Sequence, residues 1–175
     1  MPDRGSFFVV VSGPPGSGKS TLAPLLAREL NLPLLAKDTI KDALVAALDV
    51  RDIEFSRRLG TAAVSAMFAI AQNCPSGAVL ESVFHRSTAV GQVRGLPGVV
   101  VEVFCSCDRA VAEDRYTRRA TTERRGYFDS QRLPEELWND EIARPVAGGW
   151  SVIEIDTTAE FDAVGLAAQV KRLHP

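Results

Sequence analysis

Phe7-Phe8-Val9-Val10-Val11-Ser12-Gly13-Pro14-Pro15-Gly16-Ser17-Gly18-Lys19-Ser20-Thr21-Leu22 decides how the rest of this chain is read. An apolar run of strand formers enters a turn rich in glycine and proline, and Gly-x-x-x-x-Gly-Lys-Ser closes that turn. Without Cβ atoms the glycines let the backbone curl until several N–H groups face one anion. Lys19 can reach the β- and γ-phosphates of a nucleotide, and the Ser20 hydroxyl can ligate Mg²⁺. Leu22, Leu25, Leu26 and Leu30 recur at helical spacing after the turn, with Asn31 and Pro33 as a stop. A helix starting near Gly18 adds unpaired N–H groups and the positive end of its dipole. Gly13, Pro14, Pro15, Gly16, Ser17, Gly18, Lys19, Ser20 and Thr21 are therefore expected to bind the nucleotide, with Ser20 as metal ligand. No Asn-Lys-x-Asp guanine motif is present, which favours ATP.

Outward from that stretch, short apolar runs alternate with helical segments. Leu32–Ala36 reads as a second strand ending at Lys37-Asp38, followed by a helix over 39–48. A longer helix spans 52–73. Its stretch from Leu59 to Asn73 carries no charge and predicts burial on more than one face. Residues 78–81 form a third strand and 98–105 a fourth. Asp108 caps a helix to about Thr121, Pro134-Glu135-Glu136 starts a short one, and Gly148-Gly149 precedes a fifth strand over 151–156. Thr157 with Glu160 reads as a capping box for the last helix. The pattern predicts an α/β fold of three αβα layers, with a five-stranded parallel sheet and right-handed crossovers. Residues 1–175 read as a single domain.

Bulk properties exclude some functions. A net charge of −2 gives no general attraction to nucleic acid. No apolar run approaches membrane-spanning length. The first strand lacks the charged leader and cleavage site of a secretory signal, so the expected location is cytoplasmic. Cys74, Cys105 and Cys107 are odd in number and have no metal-ligand spacing. Cys105 and Cys107, two apart at a strand end, are expected to face one side as small buried hydrophobes.

Ligands in open parallel sheets bind beyond the carboxyl ends of the strands, which directs attention to residues 13–21, 37–41, 81–86 and 156–158. Asp38 is placed to accept a proton from an acceptor hydroxyl attacking the γ-phosphorus, the other reading being a helix N-cap. Lys41, one turn on, supplies a cation for substrate or for that carboxylate. Glu81 is placed beside the metal's water shell, and His85 and Arg86 on the same loop can contact substrate. Arg115, Arg118 and Arg119 are spaced to share one helix face, with Arg124 and Arg125 beyond. They predict a lid over about 115–132 that covers the triphosphate and excludes water, with Gly126 and the irregular chain after it suited to opening.

On these residues (the phosphate loop, Lys37-Asp38-x-x-Lys41 and the arginine helix) the chain resembles the P-loop kinases. The nearest group is chloramphenicol phosphotransferase, zeta-toxin kinases and polynucleotide 5′-kinases, all with an AAA-type ATP-binding domain; shikimate and gluconate kinases are looser matches. The resemblance implies Asp38 as base and Arg115 and Arg119 as the lid arginines. It also places adenine near Arg119 and the loop Thr157-Thr158. Two departures stand out: Lys41 replaces an arginine with a point charge in place of a bidentate fork, and Tyr127 stands where relatives carry a histidine.

The expected function is ATP-dependent transfer of the γ-phosphoryl group to a hydroxyl of a small-molecule acceptor. Asp38, Lys19, Arg115 and Arg119 would be catalytic, and Asp38, Lys41, Glu81, His85 and Arg86 would bind substrate. Alternatives are a nucleotide-dependent regulatory ATPase without such an acceptor, and a nucleoside monophosphate or polynucleotide kinase. Phe55, Met67 and Phe68 suggest a partly apolar pocket wall for a small acceptor. No feature of the sequence names the acceptor or sets the oligomeric state.

Overall fold

The computed structural model describes residues 5–121 and 126–174. Five parallel strands, β1 (Ser6–Ser12), β2 (Leu34–Ala36), β3 (Gly77–Glu81), β4 (Gly98–Ser106) and β5 (Ser151–Asp156), lie in the order β2-β3-β1-β4-β5. The central β1 is buried on both faces, which explains why its sequence is a continuous apolar run without alternation. Phe7, Val9 and Val11 face one core with α1 (Lys19–Leu30) and α7 (Ala163–Arg172). Phe8 and Val10 face the other with α3 (Ile53–Ala71) and α4 (Arg86–Arg94). These are the three layers expected, and among the described residues no helix is long and apolar enough to cross a membrane.

Helix α2 (Lys37–Ala47) follows β2 without a loop and packs on α3, while α5 (Arg109–Thr121) and the short α6 (Pro134–Leu137) lie between β4 and β5. The sheet register aligns Ala36, Glu81 and Val11 across neighbouring strands. All three lie at the carboxyl edge, so the turns that follow them open on the same side. With neighbouring strands about 4.8 Å apart, the segment after β2 starts about 10 Å from the loop after β1.

Several expectations need correction. Helix α3 buries one face only: Leu59, Ala63, Met67 and Ala71 form an i,i+4 stripe, whereas Thr61, Ala62, Ser65, Ala69 and Ile70 are exposed. Absence of charge here reflects small residues facing water, not a second buried side. Met67 and Phe68 pack into the core with Phe8 and Val10. Thr157 caps nothing; Asp162 is the N-cap of α7, accepting from the Gly165 N–H at 2.9 Å. Cys105 is fully buried, but Cys107 lies past the end of β4 and is only half-buried, so the two do not share an environment.

Helix α4 is absent from the sequence reading for a physical reason. Its N-cap His85 provides no side-chain hydrogen bond. The Glu141 carboxylate instead accepts from the Ser87 N–H at 2.7 Å, and the Glu141 carbonyl accepts from the Arg86 N–H at 3.0 Å. A cap supplied from 54 residues away leaves no local signature.

Candidate active site

The loop between β1 and α1 has the conformation its glycines predict. Gly13, Gly16 and Gly18 have φ of 137°, 76° and 77°. A Cβ at Gly13 would strike the Cys105 carbonyl, and one at Gly16 would strike the Ala112 carbonyl, so β4 and α5 leave room for hydrogen alone. The Ser17 N–H donates to the Pro14 carbonyl at 3.2 Å, closing the turn. Behind it Thr157, 3 % exposed, donates its hydroxyl to the carbonyls of Ser17 at 2.8 Å and Ser106 at 2.9 Å. Thr157 therefore ties the loop to the ends of β4 and β5, a role that matching by capping pattern had missed.

Lys19 is buried in this cradle, its ammonium donating to the Pro14 carbonyl at 2.6 Å. Burial lowers its pKa to about 8, opposed chiefly by Glu81 and more weakly by Asp38, and reinforced by Arg119. Glu81, 8 % exposed, has its carboxyl pushed upward by burial, opposed first by Lys19. The charges of Glu81, Asp38 and Arg119 thus all bear on Lys19.

Asp38 lies in the first turn of α2 and is not its N-cap, which is Ala36. Its carboxylate pairs with the Lys37 ammonium at 2.8 Å. Lys41 is elsewhere: 2 % exposed, it donates to Ser56 Oγ at 2.8 Å and lies 4.0 Å from the Tyr127 ring centroid. Its pKa falls to about 8, from burial first and then from Lys37 and Arg132. Lys37, one residue before Asp38, thus pairs with its carboxylate, while Lys41, three after, feels the charge of Asp38 but bonds to Ser56.

The arginines of α5 are spaced along one helix face but take different partners. Arg115 donates to the Thr157 carbonyl at 3.1 Å and the Thr158 carbonyl at 3.3 Å. Arg118 is exposed and pairs with Asp114 at 2.9 Å. Arg119 lies over the Tyr116 ring at 5.5 Å and acts on Lys19 and Glu81. Arg124 and Arg125 of the expected lid lie outside the described residues. His85 and Arg86 are exposed at the start of α4, where their charges act on Glu141. Among the described residues neither makes a hydrogen bond or ion pair with Lys19.

The donor set fits a magnesium nucleotide. Glycine hydrogens line a cradle that side chains would fill, and Ser20 is exposed in the first turn of α1. Among the described residues no three His, Cys, Asp or Glu side chains are grouped as metal ligands.

Comparison with known proteins agrees with this geometry. The AAA domain family matches residues 8–145. A protein of Chloroflexus aurantiacus described as a candidate kinase superposes with a TM-score of 0.87 at 26% identity, covering 97% of this chain and 98% of that one. Shikimate kinase from Acinetobacter baumannii, solved with shikimate, gives a TM-score of 0.65 at 18% identity over 98% of this chain and 93% of that one, a likeness of fold. In sequence, the cytidylate kinase of Pyrobaculum islandicum is 43% identical over 49 residues, which are 28% of this chain and 27% of that protein's length.

Proposed function

The chain belongs to the AAA domain family, and we propose that it is an ATP-dependent phosphotransferase that moves the γ-phosphoryl group to a hydroxyl of a small-molecule acceptor. The observation that carries this reading is the sheet register, which sets Ala36 and Glu81 level with Val11, so that Glu81 and Asp38, two residues past β2, lie at the same edge as the phosphate loop. The candidate kinase from Chloroflexus aurantiacus supports the same reading.

In this mechanism the main-chain N–H groups of residues 13–20 and the Lys19 ammonium hold the triphosphate. Ser20 would hold Mg²⁺, which supplies charge neutralisation at the phosphate oxygens. Glu81 counters the Lys19 charge from the neighbouring strand. Asp38 takes the proton of the acceptor hydroxyl as its oxygen bonds to the γ-phosphorus, and the bond from that phosphorus to the β,γ-bridging oxygen breaks. Arg119 covers the transferring group, and Arg115 sets the Thr157-Thr158 loop against which adenine rests. Alignment and charge stabilisation supply most of the rate. Lys37, His85 and Arg86 would meet the acceptor, while Lys41, buried against Ser56 and the Tyr127 ring, would act on it only through α2.

The test is a screen with γ-labelled ATP against pools of sugars, hydroxy acids, hydroxylated antibiotics and nucleoside monophosphates. Label appearing on one hydroxyl class is the expected result; label released only as inorganic phosphate in every pool would favour the regulatory ATPase. Nucleoside monophosphates are the second reading, favoured by the short likeness to cytidylate kinase.

A further inference from the structure

The start of α2 is weakly fixed by its own elements. β2 is an edge strand of three residues, and Ala36 offers no side chain to cap the helix. A helix whose first turn lacks a cap and whose leading strand has one neighbour is free to fray. If Asp38 is the base, something else must hold that turn.

Tyr127 meets this need. Buried to 6 % exposure, it donates its hydroxyl to Asp42 Oδ1 at 2.7 Å and lies 3.3 Å from the Asp38 carbonyl oxygen. The Lys41 ammonium stands over its ring, and its own carbonyl accepts from Ser56 Oγ at 3.4 Å. The preceding Gly126 has φ of 77°, and a Cβ there would come within 2.7 Å of Val45 Cγ1. Asp38, Lys41, Asp42 and Val45 follow the i, i+3, i+4, i+7 pattern of one helix face. Gly126 and Tyr127 therefore lie along the face of α2 that begins at Asp38, and the same tyrosine joins α2 to α3 through Ser56.

We infer that Tyr127 is a positioning residue for phosphoryl transfer, clamping the first turn of α2 so that the Asp38 carboxylate is held in place for the acceptor hydroxyl. The inference rests on the kinase reading above. The buried Lys41 belongs to this clamp: its ammonium is shared between Ser56 and the tyrosine ring.

The test compares Tyr127→Phe, which keeps the ring over which Lys41 lies, with wild type. Binding is read with Mg²⁺·AMP-PNP, and transfer with the acceptor that gives the fastest label uptake in the screen. The clamp predicts an AMP-PNP affinity within about twofold of wild type, an unchanged KM for ATP and a kcat reduced about tenfold. Asp42→Leu should match it, Asp42→Asn, which keeps an oxygen acceptor, should be milder, and Tyr127→Phe with Asp42→Leu should be no worse than either alone. A wild-type kcat in Tyr127→Phe, or an additive double variant, would overturn the inference. So would a loss of AMP-PNP affinity in parallel with kcat, the mark of general unfolding. If Tyr127→Phe does not fold, the two Asp42 variants carry the same comparison. Failure of wild-type protein to bind Mg²⁺·AMP-PNP would defeat the kinase reading itself, whereas normal binding with unaltered turnover defeats the clamp alone.

Discussion

Glu102 is fully buried in the middle of β4, where its Oε1 accepts from Ser12 Oγ at 2.6 Å and the Val146 N–H at 2.7 Å. Its Oε2 accepts from the Ala147 N–H at 2.9 Å and from Trp150 Nε1 at 3.0 Å. A carboxylate survives such burial when each lone pair has a donor. Ser12 is the last residue of β1, so this carboxylate also steadies the root of the phosphate loop, while its other oxygen, Oε2, holds Ala147, with φ of 48°, in a left-handed turn. Glu102→Gln turns one acceptor into a donor facing two donors. It should cost about 2–4 kcal/mol of stability, read as a shifted denaturant midpoint. A midpoint within the error of wild type would remove Glu102 from this role. In the sequence Glu102 is visible as a charge in an apolar strand, but its partners at 146–150 are set by tertiary approach and leave no local pattern.

Among the elements, α5 shows where spacing alone misleads. Arg115, Arg118 and Arg119 are close enough in helical phase to be read as one face, yet Asp114 at i−4 takes Arg118 to the surface. The carbonyls of Thr157 and Thr158 take Arg115, while Arg119 lies over the Tyr116 ring. Arg115→Met should loosen the 157–158 loop, raising KM for ATP about fivefold with kcat within about twofold, because the hydrogen bonds lost are charge-assisted but half-exposed. A fall in kcat at constant KM would instead place Arg115 on the transferring phosphoryl group. The elements with local signals were legible: the apolar β1, the Asp108 cap, whose carboxylate accepts from the Ala110 N–H at 2.8 Å, and the Pro134 start of α6. α4, capped by Glu141, and α7, capped by Asp162 in place of Thr157, were read wrongly or not at all, because tertiary contacts chose among competing polar residues.

At the scale of the molecule, a parallel sheet between two cores brings three loops distant in sequence to one edge, and the charge set there has a measurable consequence. Lys19 and Lys41 both have pKa values lowered to about 8 from 10.5. The unfolded chain therefore binds more protons than the native one between about pH 8 and 10.5. These two groups contribute stability that rises with pH across that window, and their burial is most costly below it. A triphosphate beside Lys19 would favour its charged form, so nucleotide binding near pH 8 should take up about half a proton, and much less near pH 6. Calorimetry in buffers of differing ionisation enthalpy reads this directly. Proton release at pH 8 would contradict the placement of Lys19 against the phosphates. The parallel sheet is legible in the alternation of apolar runs and helical segments along the chain and the phosphate loop in residues 7–22, whereas the burial of Lys41 against Ser56 and Tyr127 depends on how α2 packs on α3.

The measurement closest to the centre of the account is γ-phosphoryl transfer by Asp38→Asn, made beside its affinity for Mg²⁺·AMP-PNP. The account predicts nucleotide affinity within about twofold of wild type and transfer slowed by roughly a hundredfold to ten-thousandfold. Transfer at the wild-type rate, with the nucleotide bound normally, would contradict it.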